Sequence, residues 1–132
     1  MKTSRYARAF LAALITLAIT GSIARADIKD YEFQLIDQTI KKGDAIISVR
    51  LVHKPDGKPV PDAVIFATRL DMAPDGMQEM ATRITPMPST VPGVYRFKAA
   101  VTMQGRWQLS LGAKVQGETG TVENKLVLTA QQ

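Results

Sequence analysis

The residues that decide the fold run from Val94 to Val115 and read VYRFKAAVTMQGRWQLSLGAKV. Two segments of this stretch, Val94–Val101 and Arg106–Val115, place an apolar side chain at every second position, which is typical of strands with one buried face. Gly105 lies between them and predicts the pivot of a hairpin. The residues predicted to face the core are Tyr95, Phe97, Ala99, Val101, Trp107, Leu109, Leu111, Ala113 and Val115.

Shorter segments with the same period occur along the rest of the chain and are separated by turn residues. The further predicted strands are Tyr31–Asp37, Asp44–Val52, Ala63–Leu70, Thr121–Thr129 and a weaker one at Ala81–Met87. Within Ala63–Leu70, the alternation puts Val64, Phe66 and Leu70 on one inward side. The connection Lys54–Pro61 contains an Asp-Gly pair and three prolines, which favour a turn and oppose ladder hydrogen bonds.

About seven short strands, with no convincing helix after residue 26, predict an all-β immunoglobulin-like sandwich. Two aromatic residues fit this fold. Tyr95 follows Pro92-Gly93 at the start of a strand, which is the placement of a tyrosine corner whose hydroxyl bonds back to the preceding turn. Trp107 has inward parity and is the predicted anchor of the core.

The first 26 residues predict a signal peptide. Met1–Arg8 is basic, Ala9–Thr20 is an apolar run of 12 residues that would form the signal helix, and Ala24-Arg25-Ala26 is a small-x-small cleavage site. The alternative is an uncleaved anchor, which the length disfavours because a spanning helix needs roughly 20 apolar residues. We therefore expect cleavage after Ala26, a mature domain over residues 27–132, a periplasmic location and no membrane span after cleavage.

The net charge of +5 overstates how basic the mature protein is. Four of the 17 basic residues lie in the first 26 residues, which leaves 13 against 12 acidic residues. A nucleic-acid-binding role therefore loses its compositional support. The chain has no cysteine, which excludes disulfides and thiolate chemistry.

No motif of catalysis is found in the sequence. The single histidine, His53, lies beside a turn, and the chain contains no GxSxG, HExxH or phosphate-binding glycine loop. A hydrolytic site needs a nucleophile, a base and a group that orients the base. We therefore expect that the protein is not an enzyme.

Methionines are concentrated in one part of the sequence. Met72, Met77, Met80 and Met87 lie within Asp71–Pro88, and Met103 follows a predicted strand on its inward parity. Thioether sulfur is a soft ligand that selects Cu(I), and by the same softness Ag(I), over hard cations. This grouping makes a thioether metal site one interpretation.

Two other interpretations of the methionines remain open. Methionine is a flexible filler of cores, and Met72 and Met103 both continue inward strand faces. Alternatively, a methionine-rich surface could serve as an adaptable docking site for a protein partner.

The chain resembles the FixH/YtkA-like family over most of residues 31–129. The motifs that carry the resemblance are the turn Gly57–Ala63, the loop Asp71-Met72-x-Pro74-Asp75-Gly76-Met77, the segment Pro92-Gly93-Val94-Tyr95-x-Phe97 and the run Met103-x-Gly105-x-Trp107-x-Leu109-x-Leu111. The chain lacks the long anchor of the FixH proteins, which disfavours a role in cytochrome oxidase assembly. It also has no histidine near these methionines, which disfavours Cu(II).

The resemblance implies an exported immunoglobulin-like domain associated with heavy-metal efflux of the resistance–nodulation–division type. Met72, Met77, Met80 and Met103 are then candidate contacts for Cu(I) or Ag(I), or for a protein partner such as the efflux adaptor. The first hypothesis is a periplasmic accessory protein that binds the ion through these methionines or docks on the adaptor. The alternative is an interaction module of the cell envelope that binds no metal.

Overall fold

The computed structural model describes residues 27–132, so the predicted signal peptide at residues 1–26 lies outside the described residues. The strands are β1 (Tyr31–Leu35), β2 (Thr39–Lys41), β3 (Gly43–His53), β4 (Lys58–Pro59), β5 (Val64–Met72), β6 (Met77–Thr82), β7 (Ile84–Met87), β8 (Val94–Val101), β9 (Gly105–Lys114) and β10 (Val122–Gln131). Single 3-10 turns lie at Ile28–Asp30 and Ala73–Asp75. No helix in residues 27–132 is long and apolar enough to cross a membrane.

The strands form two sheets packed face to face. The first sheet has the order β1-β3-β8-β7, with β4 added beside β3, and the second has the order β2-β10-β9-β5-β6. Their inner faces meet in one apolar core around Trp107, whose side chain is 1% exposed. The predicted all-β immunoglobulin-like sandwich is confirmed.

The structure differs from the predicted seven-strand arrangement in four features. Thr39–Lys41 and Lys58–Pro59 add short strands, and the single weak strand at Ala81–Met87 is two strands in different sheets, β6 and β7. The prediction of a hairpin around Gly105 is wrong. Strands β8 and β9 belong to opposite sheets, because the alternation of each shows only that one face is buried and not which strand pairs with it.

The inward parity predicted for Ala63–Leu70 is wrong for its first half. A β-bulge between Ile65 and Ala67 shifts the register against β9, so that the face presented by β5 changes along the strand. Val64 and Phe66 are 65% and 57% exposed, whereas Leu70 is fully buried. The side chain of Phe66 therefore lies on the outer surface of the second sheet.

Tyr95 forms a corner, but with a different partner from the predicted one. Its hydroxyl donates to the Val60 carbonyl at 2.6 Å and accepts from the Ala63 amide at 3.1 Å. The connection between β4 and β5 crosses the start of β8 and brings these two backbone groups to the ring, whereas the preceding Pro92-Gly93 turn supplies no bond to it within the described residues. The Tyr95 hydroxyl therefore attaches β8 to the connection that leads from the first sheet to the second, instead of bonding to the turn before its own strand.

Candidate thioether site

Met72 and Met77 flank a tight reversal at one end of the sandwich. Met72 ends β5, the 3-10 turn Ala73–Asp75 follows, and Gly76 takes a left-handed conformation with φ of 76° before Met77 begins β6. Met72 and Met77 are paired directly across the two strands. In such a pair the Cβ atoms lie about 4.5–5.5 Å apart, so the two side chains start from neighbouring positions.

Met103 lies at the same end of the sandwich, in the connection between β8 and β9. Two residues later, Gly105 contacts Met72 so closely that an added Cβ would lie 2.6 Å from the Met72 Cε atom. The Met103 carbonyl accepts a hydrogen bond of 3.1 Å from the indole nitrogen of Trp107, which fixes this connection to the core. The sequence-predicted Met72, Met77 and Met103 are thus brought to one end of the fold.

Met80 projects from the irregular part of β6. The pairing of β5 with β6 slips between Asp71 and Met72, and Met80 packs half-buried against the core. Farther along β6, the Thr82 hydroxyl donates to the Ala100 carbonyl at 2.7 Å, which places this strand beside the last residues of β8. Met80 therefore belongs to the strand that runs beside the end of β8.

The exposure of the methionines divides them into two kinds. Met72 is 1% exposed and belongs to the core, as the packing interpretation expects. Met77, Met80 and Met103 are only partly buried and rest against the core. Met87 lies apart from them, opposite Arg96 in the pairing of β7 with β8. Three of the candidate methionines are therefore partly exposed, whereas Met72 is not.

Two carboxylates at this end of the sandwich are held by arginines. Asp75 accepts from the Arg106 amide at 2.9 Å and from its Nε at 2.8 Å, while the Arg106 Nη2 donates to the Pro74 carbonyl at 2.7 Å. Asp71, which is 4% exposed, accepts from Arg69 Nε at 2.6 Å and from the amide of Ala73 at 3.0 Å. Each of these two carboxylates is therefore paired with an arginine.

The Arg106 contacts also change the acidity of Asp75. The hydrogen bond from the Arg106 amide, and then the one from its guanidinium, hold the pKa of Asp75 below its usual value of 3.8. A carboxyl whose pKa is lowered by folding stabilises the fold above its unfolded pKa, and this contribution is lost as the pH falls through the folded value. The contact of Asp75 with Arg106, which attaches the turn between β5 and β6 to β9, therefore weakens only at acidic pH.

Replacing Arg106 with glutamine is expected to raise the pKa of Asp75 toward 3.8 without restoring it fully, because the backbone amide remains. NMR titration of the side-chain carboxyl carbons measures this change directly. Asp56 is the internal control, since its lowered pKa comes mainly from the Lys58 amide and then from His53. An unchanged pKa of Asp75 in the variant would show that the guanidinium does not act on this carboxyl.

A second polar cluster lies near the start of β1. Of its members, the sequence analysis considered only His53 as a possible functional residue. The Tyr31 hydroxyl donates to Glu118 at 2.8 Å, and burial raises the pKa of Tyr31 to about 12. The Tyr31 ring lies 5.0 Å from the His53 ring, whose Nδ1 is 3.0 Å from Asp56 Oδ1. Glu118 follows a glycine turn and carries no motif that could have predicted the contact.

No group of three or more histidine, cysteine, aspartate or glutamate residues within residues 27–132 is placed to hold a metal ion. Thioether sulfur is not among these donor types, so the methionines form a separate candidate set.

Comparison with solved structures gives matches of low sequence identity. The ZirS C-terminal domain is 13% identical, with a TM-score of 0.47 over 98% of this chain and 86% of that chain. A structure described as FdeC, a broadly conserved Escherichia coli adhesin, is 11% identical, with a TM-score of 0.43 over 82% of this chain and 32% of that one. A search of the curated proteins finds no match.

The family comparison is more informative about descent. The sequence pattern of the YtkA-like family matches residues 25–112, which is two thirds of the chain. The matched region includes the reversal between Met72 and Met77 as well as Met103 and Trp107. This chain belongs to the YtkA-like family.

Proposed function

We propose that this YtkA-like protein is an exported, non-enzymatic carrier that holds Cu(I) or Ag(I) in a thioether cluster at one end of its sandwich. The observation that carries the proposal is the pairing of Met72 with Met77 beside Gly105 and the Met103 connection. As in the resembling family, its role would be that of a periplasmic accessory protein in heavy-metal efflux.

The donor set supports a soft cargo. Cu(I) is satisfied by few ligands, and thioethers bind it in preference to Zn(II) or Mg(II). The nearby carboxylates of Asp71 and Asp75 are engaged by arginines, so they offer little to a hard cation. Met77, Met80 and Met103 would supply the accessible ligands, with Met72 behind them.

The position of the cluster also suits transfer of the ion. Partly buried sulfurs at the end of a sandwich can be approached by the methionines of another protein, so that ligands are exchanged one at a time. The partner in this proposal is an efflux adaptor or another envelope protein. The rigid attachment of the reversal to β9 through Asp75 and Arg106 keeps the ligands in place during the exchange.

Anaerobic titration of residues 27–132 with Cu(I), against a competing chelator, tests the proposal. We expect one ion to be bound per chain. Replacing Met77, Met80 and Met103 together with leucine should weaken binding by more than about 100-fold, since loss of even an outer-shell partner typically costs 10- to 100-fold. Met87→Leu is the matched control and should bind as the parent does. Equal binding by the triple variant and the control would refute the site.

A second candidate function is an interaction module that binds no metal. The specific observation is an open groove of about 750 Å³ between β5 and the residues around β7 and β8, bordered by Phe66 and Val91, which are 57% and 56% exposed. Absence of Cu(I) binding in the parent protein would favour this function over the carrier.

A further inference from the structure

The outer face of the first sheet carries three basic side chains in a row. Along β3 and β8, the residues that alternate with the buried core residues face outward. Arg50 lies opposite Val94 in the pairing of these strands, and the next outward positions along β8 are Arg96 and Lys98. Arg50 and Lys98 are exposed, and Arg96 is half-buried. We call Arg50, Arg96 and Lys98 the cationic row.

The spacing of the cationic row follows from the geometry of the sheet. Arg96 and Lys98 are alternate residues of one strand and are therefore about 6.8 Å apart. Ser48 lies directly opposite Arg96, so Arg50 is a diagonal neighbour of Arg96 at about 7–8 Å. Alternate side chains of any extended chain repeat at nearly the same interval. A segment with an acidic residue at every second position can therefore place one carboxylate beside each cation.

The cationic row has no acidic partner in the part of the chain that the structure describes. Among residues 27–132, ion pairs are formed by His53, Arg69 and Arg106, each with an aspartate. The two arginines of the second sheet are thus paired within the fold, whereas those of the cationic row are not. An arginine can bind a carboxylate through two parallel charge-assisted hydrogen bonds. The cationic row therefore has donors available for the carboxylates of another chain.

Two acidic residues on the same face limit what can bind there. Glu32 on β1 lies at the level of the first outward position beyond Arg50. Asp44 on β3 lies at the level of the first outward position beyond Lys98. A membrane with anionic head groups, or a long polyanion, would meet these carboxylates as well as the cationic row and would be repelled by them. A short acidic segment that covers only the cationic row avoids both carboxylates.

We propose that the cationic row binds a short extended segment of a partner protein that carries three acidic residues, one at every second position. The segment runs along the boundary between β3 and β8, and its carboxylates bind Arg50, Arg96 and Lys98 in turn. Ile46, which is 48% exposed and lies opposite Lys98, provides an apolar surface on which the side-chain stems of the segment pack. The methionines take no part, so this docking surface does not rest on the proposed metal site.

NMR titration of ¹⁵N-labelled residues 27–132 with two synthetic peptides tests the proposal. The first peptide has seven residues, with glutamate at every second position and serine between. The second has the same composition with its three glutamates consecutive, so that in an extended chain one of them points away from the sheet. At low ionic strength, we expect the alternating peptide to shift the amide signals of β3 and β8 and to bind about threefold more tightly than the second. Added salt should weaken both, because exposed charges are screened.

Two double variants separate the cationic row from the charge of the whole domain. Arg96→Gln combined with Lys98→Gln should weaken binding of the alternating peptide about tenfold, because two ion pairs are lost. Lys114→Gln combined with Lys125→Gln removes the same charge from exposed positions of the second sheet and should bind as the parent does. The spectrum of each variant also reports whether it is folded.

Equal binding by the two double variants, or equal binding of the two peptides by the parent, would overturn the proposal. Vesicles of phosphatidylglycerol provide a further comparison. Vesicles that bind the parent more tightly than the alternating peptide does, and that lose this binding in the Arg96→Gln, Lys98→Gln variant, would also overturn it and make an anionic membrane the occupant of this face.

Discussion

Replacing Gly93 with alanine is expected to lower the free energy of unfolding by about 3 kcal/mol, combining backbone strain with overpacking. Gly93 has φ of 80°, and an added Cβ would lie 2.5 Å from the Cβ of Pro59 and 3.2 Å from its Cα and from the Val60 nitrogen. A proline ring and backbone atoms cannot move aside cheaply. The Gly93 carbonyl also accepts from the Leu51 amide at 2.9 Å, so a shift of the turn would disturb β3.

Urea unfolding measures this loss as a change in midpoint at constant slope. Gly57→Ala is the matched control, because Gly57 has φ of 69° and nothing within 4 Å of an added Cβ. It should cost only the backbone strain, about 1 kcal/mol. Equal losses in the two variants would show that the close approach of Gly93 to Pro59 has no energetic consequence.

Replacing Trp107 with alanine is expected to cost about 4 kcal/mol, the range found when a large buried aromatic side chain is removed. The side chain is 1% exposed and its indole donates to the Met103 carbonyl. The change would leave a cavity at the centre of the core and release the connection that carries Met103.

Trp107→Phe separates the two contributions of this residue. It keeps most of the packing but loses the hydrogen bond, and we expect a cost of about 2 kcal/mol. Denaturation of both variants under the same conditions provides the measurement. A cost for alanine no larger than that for phenylalanine would contradict the role of Trp107 as the anchor of the core.

Much of the fold could be predicted from alternation because the sandwich buries one face of most strands. The buried residues Ile47, Val49 and Leu51 follow the predicted period in β3, as do Trp107, Leu109 and Leu111 in β9. Alternation fails where a bulge adds a residue, and Phe66 is therefore exposed. It also cannot show which strands pair, so the predicted hairpin around Gly105 was wrong.

The candidate site was predictable in composition but not in geometry. The local sequence places Met72 and Met77 on either side of a Pro-Asp-Gly turn, which is enough to predict that they are close. The contact of Met72 with Gly105 and the pairing of Asp75 with Arg106 join residues about 30 positions apart. No local pattern encodes such contacts, because they depend on the pairing of β5 with β9 within the second sheet.

The most direct test of the thioether site follows the five methionine methyl groups of residues 27–132 by NMR. The protein is labelled with methyl-¹³C methionine and titrated with Ag(I), and each signal is assigned from a single Met→Leu variant. The account predicts that the signals of Met77, Met80 and Met103 shift together and saturate at one ion per chain, while that of Met87 stays in place. Unchanged signals, or a shift of Met87 as large as those of the other three, would contradict it.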